Sequence, residues 1–132
     1  MSSRGEQRVG FRMRLLRRYR FEAAHRLPAV PADHKCFRLH GHSYGVVVYV
    51  EGDVEADTGM VIEFAELDAV VEPLLRDELD HRYLNDLPGL ENPTAEHLAQ
   101  WLWRRLQNKL PMLKAVEVQE TANCAVVYEG RD

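Results

Sequence analysis

Cysteine is scarce: the 132 residues hold only Cys36 and Cys124. Two thiols cannot make a disulfide-dense scaffold, so the fold has to rest on a packed core. Long hydrophobic runs are missing as well. The longest, Val46 to Val50, falls far short of the ~20 residues that cross a bilayer as a helix. The opening Met1 to Gly5 is polar and carries no apolar leader, so a reduced, cytoplasmic setting with free thiols is expected. An excess of positive charge is absent: 17 Lys and Arg stand against 21 Asp and Glu, for a net charge of −4. That balance excludes a non-specific grip on nucleic acid or an anionic membrane, and an anionic ligand would need a local basic cluster. There is no internal repeat and no low-complexity tract. The length suits one core. A single domain over residues 10–132 is expected, preceded by a disordered stretch over 1–9.

Alternation marks the first ordered stretch. Phe11, Met13, Leu15, Tyr19, Phe21, Ala23 and His25 share one parity, and Arg12, Arg14, Arg18, Arg20 and Glu22 share the other. Leu16 and Arg17 interrupt it. This is the pattern of a half-buried strand, with His25 at its end on the apolar face. Leu27 to Arg38, with Pro28 and Pro31, reads as a loop. His42 to Gly52 reads as a second strand, with Tyr44, Val46, Val48 and Val50 on the parity of His42. Phe64, Leu67, Val70, Val71, Leu74 and Leu75 then recur at helical spacing towards Leu79. Pro73 stands inside that stripe, where it costs ~3 kcal/mol or kinks the axis. Asp80 to Asn85 follows as loop or helix end. A second helix starts within Asn92 to Glu96: Asn92 or Thr94 can cap it, Pro93 suits the first turn, and Glu96 meets the positive end of the dipole. It buries Leu98, Trp101, Leu102 and Leu106 and ends before Pro111. Ala115 to Thr121 and Cys124 to Tyr128 close the chain as strands. The order β-β-α-α-β-β predicts an α+β domain, an antiparallel sheet with helices on one face.

The chemistry gathers around Cys36-Phe37-Arg38-Leu39-His40-Gly41-His42. On extended backbone, side chains two apart project to the same side, so His40 and His42 present two imidazoles together. With His25 they offer three neutral nitrogen donors and leave a fourth position open, as in catalytic zinc sites. A plainer account makes His25 a hydrogen-bonded core residue and leaves His40 and His42 flanking a glycine turn. In a third, Cys36 closes a structural site of one cysteine and three histidines. Free beside a metal, the same thiol would be a base or nucleophile. In Asp80-His81 a carboxylate can orient an imidazole as a proton shuttle; alternatively, His81 complements a helix C-terminus. Glu120 has the parity of Val116 and Val118, where an acid is costly unless paired. It can grip the paired N–H groups of a heterocycle, or it can end the strand in solvent. Arg26, Lys35 and Arg38 form a basic cluster suited to phosphate, or a solvated loop. His34 and His97 read as surface residues and Cys124 as a packed thiol.

Taken together, Phe-Glu-Ala-Ala-His-Arg-Leu (21–27), Lys-Cys-Phe-Arg-Leu-His-Gly-His-Ser-Tyr (35–44), Gly-Met-Val-Ile-Glu-Phe (59–64), Leu-Asp-His-Arg-Tyr-Leu-Asn (79–85), Glu-Asn-Pro-Thr-Ala-Glu (91–96) and Glu-Thr (120–121) closely resemble the 6-pyruvoyltetrahydropterin synthase family. The resemblance spans Arg12 to Tyr128. It implies the tunnelling fold, a four-stranded antiparallel sheet with two helices. Three subunits would close a barrel and two trimers stack as a homohexamer, with sites between subunits. It implies Zn2+ on His25, His40 and His42, a catalytic Cys36 with Asp80 and His81 as partners, and a pterin triphosphate as substrate. Glu120 would anchor the pterin ring, with Thr121 beside it in substrate binding. The placement of Cys36 four residues before His40 matches the branch that yields a carboxylated pterin; the gap is longer in the pyruvoyl-forming branch, which is the alternative. An alternative of another class is a non-catalytic zinc-binding module with Cys36 as fourth ligand. Two positions depart from the family pattern: Glu63, where Asp is more common, and His97, where Asn often follows Glu96.

Overall fold

A computed structural model describes residues 8–131. Most of the N-terminal stretch expected to be loose, residues 1–7, lies outside the described residues. In chain order the main elements are β1 (Arg8–His25), β2 (His40–Glu55), α1 (Phe64–Leu74), β3 (Arg82–Tyr83), α2 (Ala95–Leu106), β4 (Leu113–Thr121) and β5 (Cys124–Tyr128). The sheet order is β3-β1-β2-β4-β5. The four long strands pair antiparallel, as their alternation predicts. The two-residue β3 joins β1 in parallel at Ala23 and Ala24, which makes the sheet mixed. Two residues carry no alternation, so the sequence gives no sign of this strand.

Parity decides what is buried. Tyr19, Phe21 and Ala23 of β1, Tyr44, Val46, Val48 and Val50 of β2, and Val116 and Val118 of β4 form one buried face. Leu67, Val71 and Leu74 of α1 and Leu98, Leu102 and Leu106 of α2 pack against it. Each fully buried Val or Leu contributes about 1.5–3 kcal/mol, so this layer is the main source of stability. The interruption at Leu16-Arg17 is not a bulge. Arg17 keeps the inward parity at the rim of the core, and its guanidinium donates to Asp68 of α1 at 3.0 Å. Phe11 and Met13, at the far end of the same strand, are about half exposed.

Pro73 does not end α1. The helix runs one residue further and then widens into a single π turn, Leu75–Leu79. The widening is visible in the bond from the Asp80 N–H to the Leu75 carbonyl, 2.8 Å, five residues back. Asp80-His81 leaves directly from that turn. Glu63 holds the cap position of α1 without a side-chain cap bond. At α2 the cap is Thr94, whose Oγ1 accepts the His97 N–H at 3.1 Å. Pro93 therefore stands before the cap and not in the first turn.

Candidate active site

Strand register assembles the histidines. His25 closes β1 directly opposite His40, which opens β2, and Ala23 is opposite His42. The ring centroids lie 4.6 Å (His25–His40), 5.0 Å (His25–His42) and 4.9 Å (His40–His42) apart. One nitrogen from each ring lies within 4.8 Å of the others.

Backbone carbonyls fix two of the tautomers. His25 Nδ1 lies 2.8 Å from the Pro93 carbonyl, and His40 Nδ1 lies 2.7 Å from the Arg38 carbonyl. A carbonyl only accepts, so both Nδ1 atoms donate. A neutral imidazole has a single N–H, which leaves both Nε2 atoms as lone pairs. They face each other at 3.0 Å. His42 Nε2 is buried and has no hydrogen-bond partner. Burial lowers the proton affinity of His25, against weaker opposing pulls from the Pro93 carbonyl and then Glu120, and that of His42, against a weaker pull from Glu120. Two facing lone pairs beside a buried, unpartnered imidazole nitrogen are unfavourable for the protein alone. They suit a metal ion, and the Nδ1-to-carbonyl bonds orient the ligands as they do in metal centres.

Glu120 of β4 faces the cluster, with Oε2 3.8 Å from His25 Nε2 and Oε1 3.8 Å from His42 Nε2. Cys36 does not. Among the described residues, the donor group within 4.8 Å consists of the three histidines, and the thiol lies outside it. Cys36 is a free, half-buried thiol on a short 3-10 turn, Lys35–Phe37. Its N–H donates to His34 Nδ1 at 3.0 Å, and its carbonyl accepts the Leu27 N–H at 2.8 Å. Of the basic cluster, Arg26 stacks its guanidinium 4.4 Å over the Phe37 ring, while Lys35 and Arg38 are exposed. Thr121 is exposed at the end of β4.

Asp80 and His81 form a dyad. Asp80 Oδ2 accepts from His81 Nδ1 at 2.8 Å, and Oδ1 accepts the Glu22 N–H at 2.8 Å. The Glu22 bond and then the His81 bond hold the Asp80 carboxyl below its usual range. His81 takes a left-handed backbone, φ 60°, with its side chain 77% exposed. A non-glycine residue in that region is uncommon, and such strained positions cluster at functional sites. His42 and His81 line the same open depression of about 580 Å³, together with Glu22, Gly41, Ser43 and Tyr83. That volume falls within the range of small-ligand sites. The three histidines can bind a metal ion, and the Asp80–His81 dyad can move a proton.

Several participants escaped the sequence reading. Carbonyls such as Pro93 carry no residue-type signal. Asn85 brackets the residue after His25: its Oδ1 accepts the Arg26 N–H at 3.0 Å and its Nδ2 donates to the Arg26 carbonyl at 2.9 Å. His97 is exposed, as its reading as a surface residue expects, and it donates through Nδ1 to the Asn92 carbonyl at 2.7 Å.

Residues 14–131 match the family described as 6-pyruvoyl tetrahydropterin synthase. A 6-carboxy-5,6,7,8-tetrahydropterin synthase of Synechocystis sp. is 44% identical over 119 residues, covering 86% of this chain and 91% of that protein. A 6-pyruvoyl tetrahydrobiopterin synthase of Homo sapiens is 38% identical, covering 86% of this chain and 89% of that protein. The structure of a 6-pyruvoyl tetrahydropterin synthase of Caenorhabditis elegans superimposes with a TM-score of 0.83 at 29% identity, covering 91% of this chain and 96% of that one.

Proposed function

The chain belongs to the 6-pyruvoyl tetrahydropterin synthase family, and from that premise we propose that it converts 7,8-dihydroneopterin triphosphate and one water to 6-carboxy-5,6,7,8-tetrahydropterin, acetaldehyde and triphosphate, a step of queuosine biosynthesis. It would act as a carbon–carbon lyase in the cytoplasm. The observation that carries the reading is the convergence of three imidazole nitrogens, His42 Nε2 unpartnered, beside a depression shared with His81. The 44% identity to a carboxytetrahydropterin synthase and the Cys36-to-His40 spacing favour the carboxylated product.

His25, His40 and His42 would hold Zn2+, a Lewis acid that lowers the pKa of substrate hydroxyls and polarises a carbonyl. Glu120 accepts from the amino-pyrimidine edge of the pterin, with Thr121 beside it. Cys36, as thiolate, removes a proton from the substrate side chain. His81 is the partnering acid or base, held in its tautomer by Asp80. Lys35 and Arg38 are exposed on the Cys36 turn and would meet the triphosphate with Arg26. A homohexamer of two trimers fits the open edge of β1, which pairs with β3 only at Ala23 and Ala24, and the half-exposed Phe11 and Met13.

Mass spectrometry of products from zinc-loaded protein and dihydroneopterin triphosphate, run beside Cys36→Ala, tests the proposal. Carboxytetrahydropterin and acetaldehyde are expected, and both should vanish in the variant. A pyruvoyl product would reassign the protein to the sister activity. Metal binding without turnover would overturn the enzymatic reading.

A further inference from the structure

The geometry points to His34 as the positioning residue for Cys36, an inference that rests on Cys36 being the reacting thiol. His34 immediately precedes the 3-10 turn, in extended conformation at φ −73° and ψ 138°. Its ring folds over the turn and accepts the N–H of Cys36 at 3.0 Å. This is the geometry of an N-cap, a place usually taken by Ser, Thr, Asp or Asn. An imidazole can fill it only through an unprotonated Nδ1. The neutral His34 ring therefore carries its proton on Nε2, the opposite tautomer to His25 and His40.

The turn is pinned elsewhere by main-chain bonds and by the stacking of Arg26 over the Phe37 ring. The His34 N–H donates to the Pro31 carbonyl at 2.9 Å, and the Phe37 N–H donates to the His34 carbonyl at 3.0 Å. The Leu27 N–H reaches the Cys36 carbonyl at 2.8 Å, tying the turn to the exit of β1 two residues after His25. Cys36 thus has both main-chain groups engaged, and the His34 ring supplies the bond on its N–H side. Without that ring the N–H opens to water and the direction of the thiol loosens. Such a loss falls first on orientation of the reacting group, which acts on kcat more than on substrate affinity.

The test uses the full-length, zinc-loaded protein with His34→Ala and His34→Asn. Asn offers a carbonyl oxygen in place of Nδ1 and is a good cap. Two readouts are needed: kcat and KM for dihydroneopterin triphosphate, and amide hydrogen exchange over residues 34–38. His34→Ala is expected to lower kcat about five- to tenfold, the worth of one cap, with KM within about twofold, and to speed exchange by a similar factor. His34→Asn is expected to restore both. An unchanged kcat in His34→Ala, a change confined to KM, or failure of Asn to rescue would each overturn the inference. If the wild-type protein does not turn over the substrate, the activity reading fails first. Exchange then decides the contact by itself, and equal exchange in wild type and His34→Ala overturns it.

Discussion

Asp80 accepts the backbone N–H of Glu22 across 58 residues of chain, at 2.8 Å, with one carboxylate oxygen, and holds His81 with the other. The dyad is therefore anchored to β1, the strand that ends in His25. In Asp80→Asn the amide oxygen can keep the Glu22 bond, but the amide nitrogen cannot accept from His81 Nδ1. A fall in kcat of about 10²–10⁴-fold is expected, with the melting temperature little changed. Asp80→Ala should lose the same activity and also destabilise the fold. Steady-state kinetics and thermal melts of both variants check this. An active Asp80→Asn would remove Asp80 from the mechanism.

Metal binding should depend on the unpartnered nitrogen. Loss of a residue that merely orients a ligand weakens metal binding by about 10–100-fold, so loss of a ligand should exceed that. Titration of zinc into metal-free protein is expected to give one site per chain, weakened more than about 100-fold in His42→Ala. Unchanged affinity in that variant would mean that the ion sits elsewhere.

Acid should selectively weaken one surface contact. Asp68 accepts from Arg17 at 3.0 Å and from the Tyr19 hydroxyl at 2.8 Å, and the Arg17 bond, then that of Tyr19, holds its carboxyl below the ordinary 3.8. A carboxylate with a depressed folded-state pKa stabilises the protein above its unfolded value and loses that contribution as pH falls through the folded one. Asp68→Asn is thus expected to be less stable than wild type by a constant margin from pH 7 to about 4, and by a shrinking margin below. Urea unfolding at pH 7, 5 and 3 measures the gap. An equally wide gap at pH 3 would contradict the ion-pair account.

Thr94→Ala should cost about 1 kcal/mol in urea unfolding, because Thr94 Oγ1 caps α2. The cap adjoins Pro93, whose carbonyl orients His25, so zinc affinity should fall in the same variant. Loss of stability with full zinc affinity would separate the helix end from the metal centre.

Much of this arrangement was legible in local pattern. The i, i+2 spacing of His40 and His42 and the parity of Glu120 with Val116 and Val118 are read directly from alternation. The placement of His25 opposite His40 is not, because it depends on which strands pair and in what register, across a connection with no alternation of its own. Pro73 signalled an irregular helix, but the irregularity came as a π turn after it, which ends at Asp80, the residue that accepts the Glu22 N–H. His34 gave no signal because imidazole is not a usual capping group.

The opposition of His25 and His40 has a consequence for how the chain reaches its fold. A strand slipped by one residue turns every side chain to the other face of the sheet. In a slipped β1–β2 ladder, His25 would no longer share a side with both His40 and His42, and the three nitrogens could not meet. Any ion they bind adds its binding energy to the correct pairing alone. Present during refolding, such an ion acts as a proofreader of register for the two longest strands, before any substrate is met.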